Sequence, residues 1–161
     1  MTKNAIRNMT DNGIESMIIV AQKKPRPSLR PMKAAQAGQA NLPTTTLSAG
    51  IHLITAEVAA DDAARMKGLM FRSHLAPNHG MFFVFDERAR HCMWMRNTLM
   101  PLSVAFIDDD GAIVNIEDMD PKSDDSHCTR RPVRYALEMT RGWFAQHGLQ
   151  PGNKLTGLPT Q

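Results

Sequence analysis

Two apolar stretches, Leu102–Ile107 and Ala112–Ile116, flank Asp108-Asp109-Asp110-Gly111, and no other feature restricts the fold as tightly. Both have the length and the β-branched or apolar content of strands, and the Asp-Gly step supplies the positive φ that a tight hairpin turn needs. The acidic turn also invites a calcium-loop reading. Setting Gly111 at the sixth loop position places Asp108 and Asp110 on ligand positions and Glu117 on the last. Phe106 would then take the first position, where it cannot coordinate a cation. The flanks read as strands rather than helices, so the hairpin reading stands.

Further strands are expected around this hairpin. After Gly50, apolar residues near period two from Ile51 to Val58 mark one. Met81-Phe82-Phe83-Val84-Phe85 is a run of strand length bounded by Gly80 and Asp86-Glu87-Arg88. Others are expected at His91–Asn97, Arg134–Met139 and Lys154–Leu158. Asp61 is placed to cap a short helix that Gly68 ends, and Gly142–His147 reads as a second brief helix closed by Gly148. The expectation is a mainly β (α+β) domain: a small antiparallel or mixed β-barrel or sandwich of about six to seven short strands with two short helices.

That domain is expected over residues 49–161, behind a flexible, basic, low-complexity leader over residues 1–48. The leader holds Pro25, Pro27, Pro31 and Pro43 and lacks helical or alternating periodicity, so it has little apolar surface to offset the entropy of ordering. Seven Lys and Arg there face only Asp11 and Glu15, whereas twelve basic residues face fourteen acidic ones from Ala49 onward. The excess positive charge therefore belongs to the leader and not to a folded face, which argues against a nucleic-acid partner. Met17-Ile18-Ile19-Val20-Ala21 is far too short to span a membrane and is flanked by Glu15 and Lys23-Lys24, so neither a transmembrane segment nor a signal peptide is read. A single domain of this size is expected as a monomer.

No phosphate-cradling glycine loop, Gly-x-Ser-x-Gly elbow or His-Glu-x-x-His helix is present. Two His-Cys pairs, His91-Cys92 and His127-Cys128, are candidates for zinc or copper. On a strand, however, His91 and Cys92 would point to opposite faces. A Cys92–Cys128 disulfide is the preferred reading, two free thiols the next, and a metal site the third. Such a bond implies an oxidising compartment. In Trp94–Leu102, alternation sets Cys92, Trp94 and Arg96 on one face and Met93, Met95 and Asn97 on the other. An indole with a guanidinium two residues on can stack on and ion-pair with a ligand. The structural alternative pairs Arg96 with Glu138 or Glu57 and leaves Trp94 to fill space, with Asn97 and Thr98 capping a turn.

These residues carry a family resemblance. Gly68-Leu69-Met70-Phe71-Arg72, then Gly80-Met81-Phe82-Phe83-Val84-Phe85, then Trp94-Met95-Arg96-Asn97-Thr98 with Pro101-Leu102 closely resemble the bacterial and archaeal domain of unknown function 192. Phe106-Ile107-Asp108, Gly111, Met119, Pro121, Leu137-Glu138, Gly142 and Gly152 continue the pattern, so the likeness runs from about Ile51 to Leu155. Departures are Arg96 where Lys is usual, Ser103 where Asp is typical, and Asn153 in place of the usual Gly-Asp. The resemblance implies a small β-rich domain, often exported or membrane-tethered, with no activity attached to the family. It gives the localisation a lean toward the periplasm.

Three functions compete. The first is a non-enzymatic binding or envelope-associated module whose site, around Arg72, Trp94, Arg96, Asn97 and Thr98, takes a small polar or anionic ligand or a protein. The second is a hydrolase using Glu57 or Glu138, which requires one of them buried beside a cation with a perturbed pKa. The third is metal binding through His91, Cys92, His127 and Cys128. No cofactor is expected.

Overall fold

A computed structural model of the chain describes residues 37–159, together with two dipeptide strands nearer the start, β1 (Arg7–Asn8) and β2 (Ser16–Met17), which pair antiparallel. The chain divides into two compact units, Met1–Ala34 and Ala35–Gln161. The flexibility expected of the leader up to residue 36 lies outside the described residues.

The larger unit runs β3 (Thr44–Ala49), β4 (His52–Ala59), α1 (Asp62–Lys67), β5 (His79–Ala89), β6 (Cys92–Met93), β7 (Leu102–Ile107), β8 (Ile113–Met119), β9 (His127–Cys128), β10 (Val133–Thr140) and α2 (Trp143–Gln146). Six strands form one mixed sheet in the order β3-β4-β5-β10-β7-β8; β4 and β5 are parallel and the other neighbours antiparallel. β6 and β9 form a separate two-stranded ladder. The fold is thus mainly β with two short helices, and the sheet does not close into a barrel.

Local chemistry accounts for the clearest elements. The Asp61 carboxylate accepts from the Ala64 backbone N–H at 2.8 Å, satisfying a donor that α1 would otherwise leave open, and Gly68 ends the helix at φ +46°. In the β7–β8 hairpin, Asp108 accepts from the Asp109 N–H, and Gly111 turns at φ +87°. A Cβ on Gly111 would come within 2.2 Å of the Leu155 carbonyl, so glycine is required there twice over.

Side chains alternate between two apolar clusters on opposite faces of the sheet. Phe82, Val84, Ala105, Ile107, Tyr135 and Leu137 belong to one, covered by Trp143 and Phe144 of α2. Met81, Phe83, Val104, Phe106 and Ala136 belong to the other, beneath α1 and the segment carrying Met95 and Met100. Burial on both faces explains why β7 is buried at every position and apolar at all but Ser103, instead of alternating with polar residues.

Three sequence expectations change. His91–Asn97 is not one strand: only Cys92 and Met93 pair with β9, after which Thr98 N–H bonds back to Met95 C=O at 3.0 Å in a turn whose Asn97 sits at φ +56°. Asn accepts that left-handed region more readily than most residues. Lys154–Leu158 forms no ladder; Lys154 bridges Ala112 and Thr156 bridges Ser48, so this segment straps the β8 end of the sheet to β3. Thr44–Ser48, assigned by composition to the leader, pair with β4.

Candidate functional site

The residues singled out in the sequence do not converge. Arg72 is taken up by Glu57 through both guanidinium NH groups and by the Gln39 carbonyl at 2.7 Å. Arg96 lies 4.3 Å from the Trp94 ring centroid and binds Asp124 at 2.9 Å through Nε, so its charge is already matched. The partner is neither Glu138 nor Glu57. Asn97 is exposed in the turn and its carbonyl accepts from the Phe71 N–H, while Thr98 is buried. Only Trp94 and Thr98 of the five line a common cavity.

Cys92 and Cys128 face each other across the β6–β9 ladder and are joined as a disulfide. Their sulfurs are therefore spent on each other, which removes the thiolates the metal reading needs. His91 stacks on Phe85 with ring centroids 3.7 Å apart and contacts the Glu87 carbonyl. No group of three or more His, Cys, Asp or Glu among the described residues is placed to hold a metal ion.

A cavity of about 330 Å³ opens between α1, the end of β5 and the segment from Cys92 to Thr98. That volume is at the small end of the range for ligand pockets. Its walls are mainly apolar, chiefly Met66, Met70, Phe83, Phe85, Met93 and Trp94, with Asp62, Arg65 and Lys67 of α1, Thr98 and Ser126 as the polar part. Met66 and Trp94 are exposed at the surface. Methionine walls adapt to irregular shapes because the side chain is unbranched and polarizable.

Glu138 sits in this cavity. It lies in the middle of β10, flanked in register by Met81 of β5 and Val104 of β7, and is 4% exposed. Among the described residues its carboxyl has neither a hydrogen bond nor an ion pair. Burial alone pushes its pKa up to about 8, so the group is mostly protonated at neutral pH. Of the two cationic side chains that α1 gives the lining, Arg65 is saturated: it donates to the Ala60 and Val84 carbonyls at 2.8 Å and to Asp62 and Asp86 at 2.6 and 2.7 Å. Lys67 holds its ammonium 5.2 Å from the Phe71 ring centroid. The two requirements set for a catalytic carboxylate are thus divided: Glu57 has the cation, and Glu138 has the burial and the raised pKa.

A second hollow of about 300 Å³ borders Ser103, Asp118 and Phe144. The Ser103 hydroxyl donates to Asp118 and accepts from the Gly142 N–H at 3.0 Å, tying the start of β7 to β8 and to the entry of α2. The sequence named Glu138 and Trp94 but not the methionine walls. Met66 falls within the expected short helix and Met70 in the family motif after it, with nothing in the sequence to show that β5 and β6 approach them.

Two solved structures share the fold. A protein of Sinorhizobium meliloti 1021, described as a candidate transcription regulator, is 38% identical, with TM-score 0.69 over 74% of this chain and 98% of its own. A protein of unknown function from Novosphingobium aromaticivorans is 28% identical, with TM-score 0.65 over 83% of this chain and 94% of its own. No curated protein matches the chain. Residues 44–157 match the sequence profile of the family described as Uncharacterized ACR, DUF192. The match starts at the first residue of β3 and takes in every strand of the six-stranded sheet, the disulfide and the cavity; the chain belongs to this family.

Proposed function

We propose that this protein is a binding module for a small molecule, its site the cavity that Glu138 shares with Trp94, Thr98 and the methionines of α1 and β6. One observation carries the reading: a buried carboxyl with no partner among the described residues stands in an open cavity whose walls are mainly apolar. Burying such a group without a hydrogen bond costs several kcal/mol, and native proteins seldom leave one unpaired without a functional reason. The expected site is thereby narrowed to Trp94 and Thr98, because Arg72 and Arg96 already have carboxylate partners. The Cys92–Cys128 bond, which persists only under oxidising conditions, supports an extracytoplasmic setting.

A hydrolytic reading would use Glu138 as a general acid, for which a pKa near neutrality suits. Against it, no hydrogen bond joins two polar groups of the lining except Arg65 with Asp62, so the described residues show no activated nucleophile beside Glu138. Titrating fragments into protein carrying ¹³C-methyl methionine tests the binding reading. Shifts are expected at Met66, Met70 and Met93 and not at Met139 on the opposite sheet face. Fragments that move only methyls outside the cavity would refute it.

A further inference from the structure

The chemistry of the cavity also points to the class of its occupant, an inference that rests on the binding function proposed above. No cationic group of the lining is paired with Glu138 among the described residues. Arg65 is closed by two aspartates and two carbonyls, Lys67 lies over Phe71, and Arg96 stacks on Trp94 against Asp124. An anionic ligand would have to share the cavity with the Glu138 carboxyl, and the cation without a carboxylate partner in the lining, Lys67, is held over the Phe71 ring. β5 and β6 contribute Phe83, Phe85, Met93 and the disulfide-bonded Cys92, none of which titrates, and Asp62 on α1 is committed to Arg65. Glu138 is thus left without an ion-pair partner among the described residues, in a cavity whose two cations are engaged by Asp62, Asp86 and the Phe71 ring. Aromatic faces and thioether sulfurs are surfaces that tolerate a cation and its alkyl body, through ring quadrupoles and polarizable lone pairs.

We infer that the cavity binds a small primary amine, with the ammonium seated on Glu138 and the apolar body against Phe83, Phe85, Met70 and Met93. The ammonium supplies up to three donors to two carboxylate oxygens that have none, and converts a buried lone acid into a buried ion pair. Because Glu138 is held protonated in the empty cavity, it gives up its proton to solvent as the amine, already charged, enters. Binding thus releases close to one proton at pH 7, and affinity rises about tenfold per pH unit from pH 5 to near 7.5.

Three isosteric probes test this on the full chain with its disulfide intact: phenethylamine, 2-phenylethanol and phenylacetate. Calorimetry is expected to show phenethylamine binding at least tenfold tighter than the alcohol, the margin that a hydrogen-bonded charge pair gives, and phenylacetate weakest. Repeating the titration in buffers of different ionisation enthalpy should reveal the released proton. Glu138→Gln should cancel the advantage of the amine over the alcohol and abolish the proton release. The proton count on the unmodified protein decides the matter even if that variant folds poorly. Alcohol or carboxylate binding as well as the amine, with the Met70 and Met93 methyls shifting, would overturn the ligand class and leave the pocket standing. If none of the three shifts those methyls at millimolar concentration, the pocket itself fails as the site.

Discussion

Replacing Glu138 by glutamine should change how stability depends on pH, because a carboxyl buried without a partner titrates in the opposite direction to the salt-bridged carboxylates that dominate acid unfolding. In the folded protein the group keeps its proton up to about pH 8; in the unfolded chain it loses it near the ordinary value of 4.5. Between those limits the folded state binds more protons than the unfolded state, so stability falls as pH rises. The contribution is fully present below about pH 4.5, declines by roughly 1.4 kcal/mol per pH unit, and is exhausted above 8. Over that span the loss is on the order of 5 kcal/mol. A carboxamide fills the same space without ionising, so the Glu138→Gln variant should be close to the parent at pH 5 and several kcal/mol more stable at pH 8.5. Urea unfolding of both proteins at half-unit steps, with the disulfide kept oxidised, gives the difference curve. Taking the difference cancels the six histidines common to both. Two parallel curves across pH 5–8 would refute the claim that Glu138 is buried without compensation, and with it the physical basis of the proposed site.

Reducing Cys92–Cys128, which are 36 residues apart in sequence, should cost about 4 kcal/mol, measured as the drop in urea midpoint on adding a dithiol; an unchanged midpoint would show that the two sulfurs are not bonded. Asp61→Ala removes the cap of α1 and should lower stability by about 1 kcal/mol, with Asp61→Asn retaining most of it. Gly111→Ala forces a Cβ against the Leu155 carbonyl at positive φ and should destabilise by more than about 2 kcal/mol, whereas Gly152→Ala, with nothing within 4 Å of the added Cβ, should cost about 1; equal thermal shifts for the two would contradict the close approach.

Where geometry is enforced by a single local interaction, it could be read directly from residue types. The Asp108–Gly111 turn, the Asp61 cap and the Gly68 stop belong here, because each depends on a side-chain oxygen or a missing Cβ. The pairing of Cys92 with Cys128 was also legible, since only two cysteines exist. What escaped was set by distant packing. Period-two reasoning carried the strand past Met93, but the Met95 N–H turns to the Ser123 carbonyl and the chain reverses at Asn97, a non-glycine residue at positive φ that leaves no clear mark in composition. Thr44–Ser48 looked too polar for a sheet, yet as the edge strand β3 they need only one buried face, given by Leu47 and Ala49. The cavity was half legible. Glu138 was a candidate because a carboxylate stood among strand residues, but its isolation depends on Arg72 choosing Glu57 and Arg96 choosing Asp124, choices that only the folded arrangement decides.

The strap formed by Lys154 and Thr156 has a bearing on assembly. Free sheet margins are templates on which other chains add strands, and here the residues that bridge a corner of each margin are translated after every strand of the sheet. A nascent chain that has not yet reached them leaves the Ser48 end of β3 and the turn entering β8 unbridged, so completing the sheet is not enough: these two corners close only once this later segment has docked.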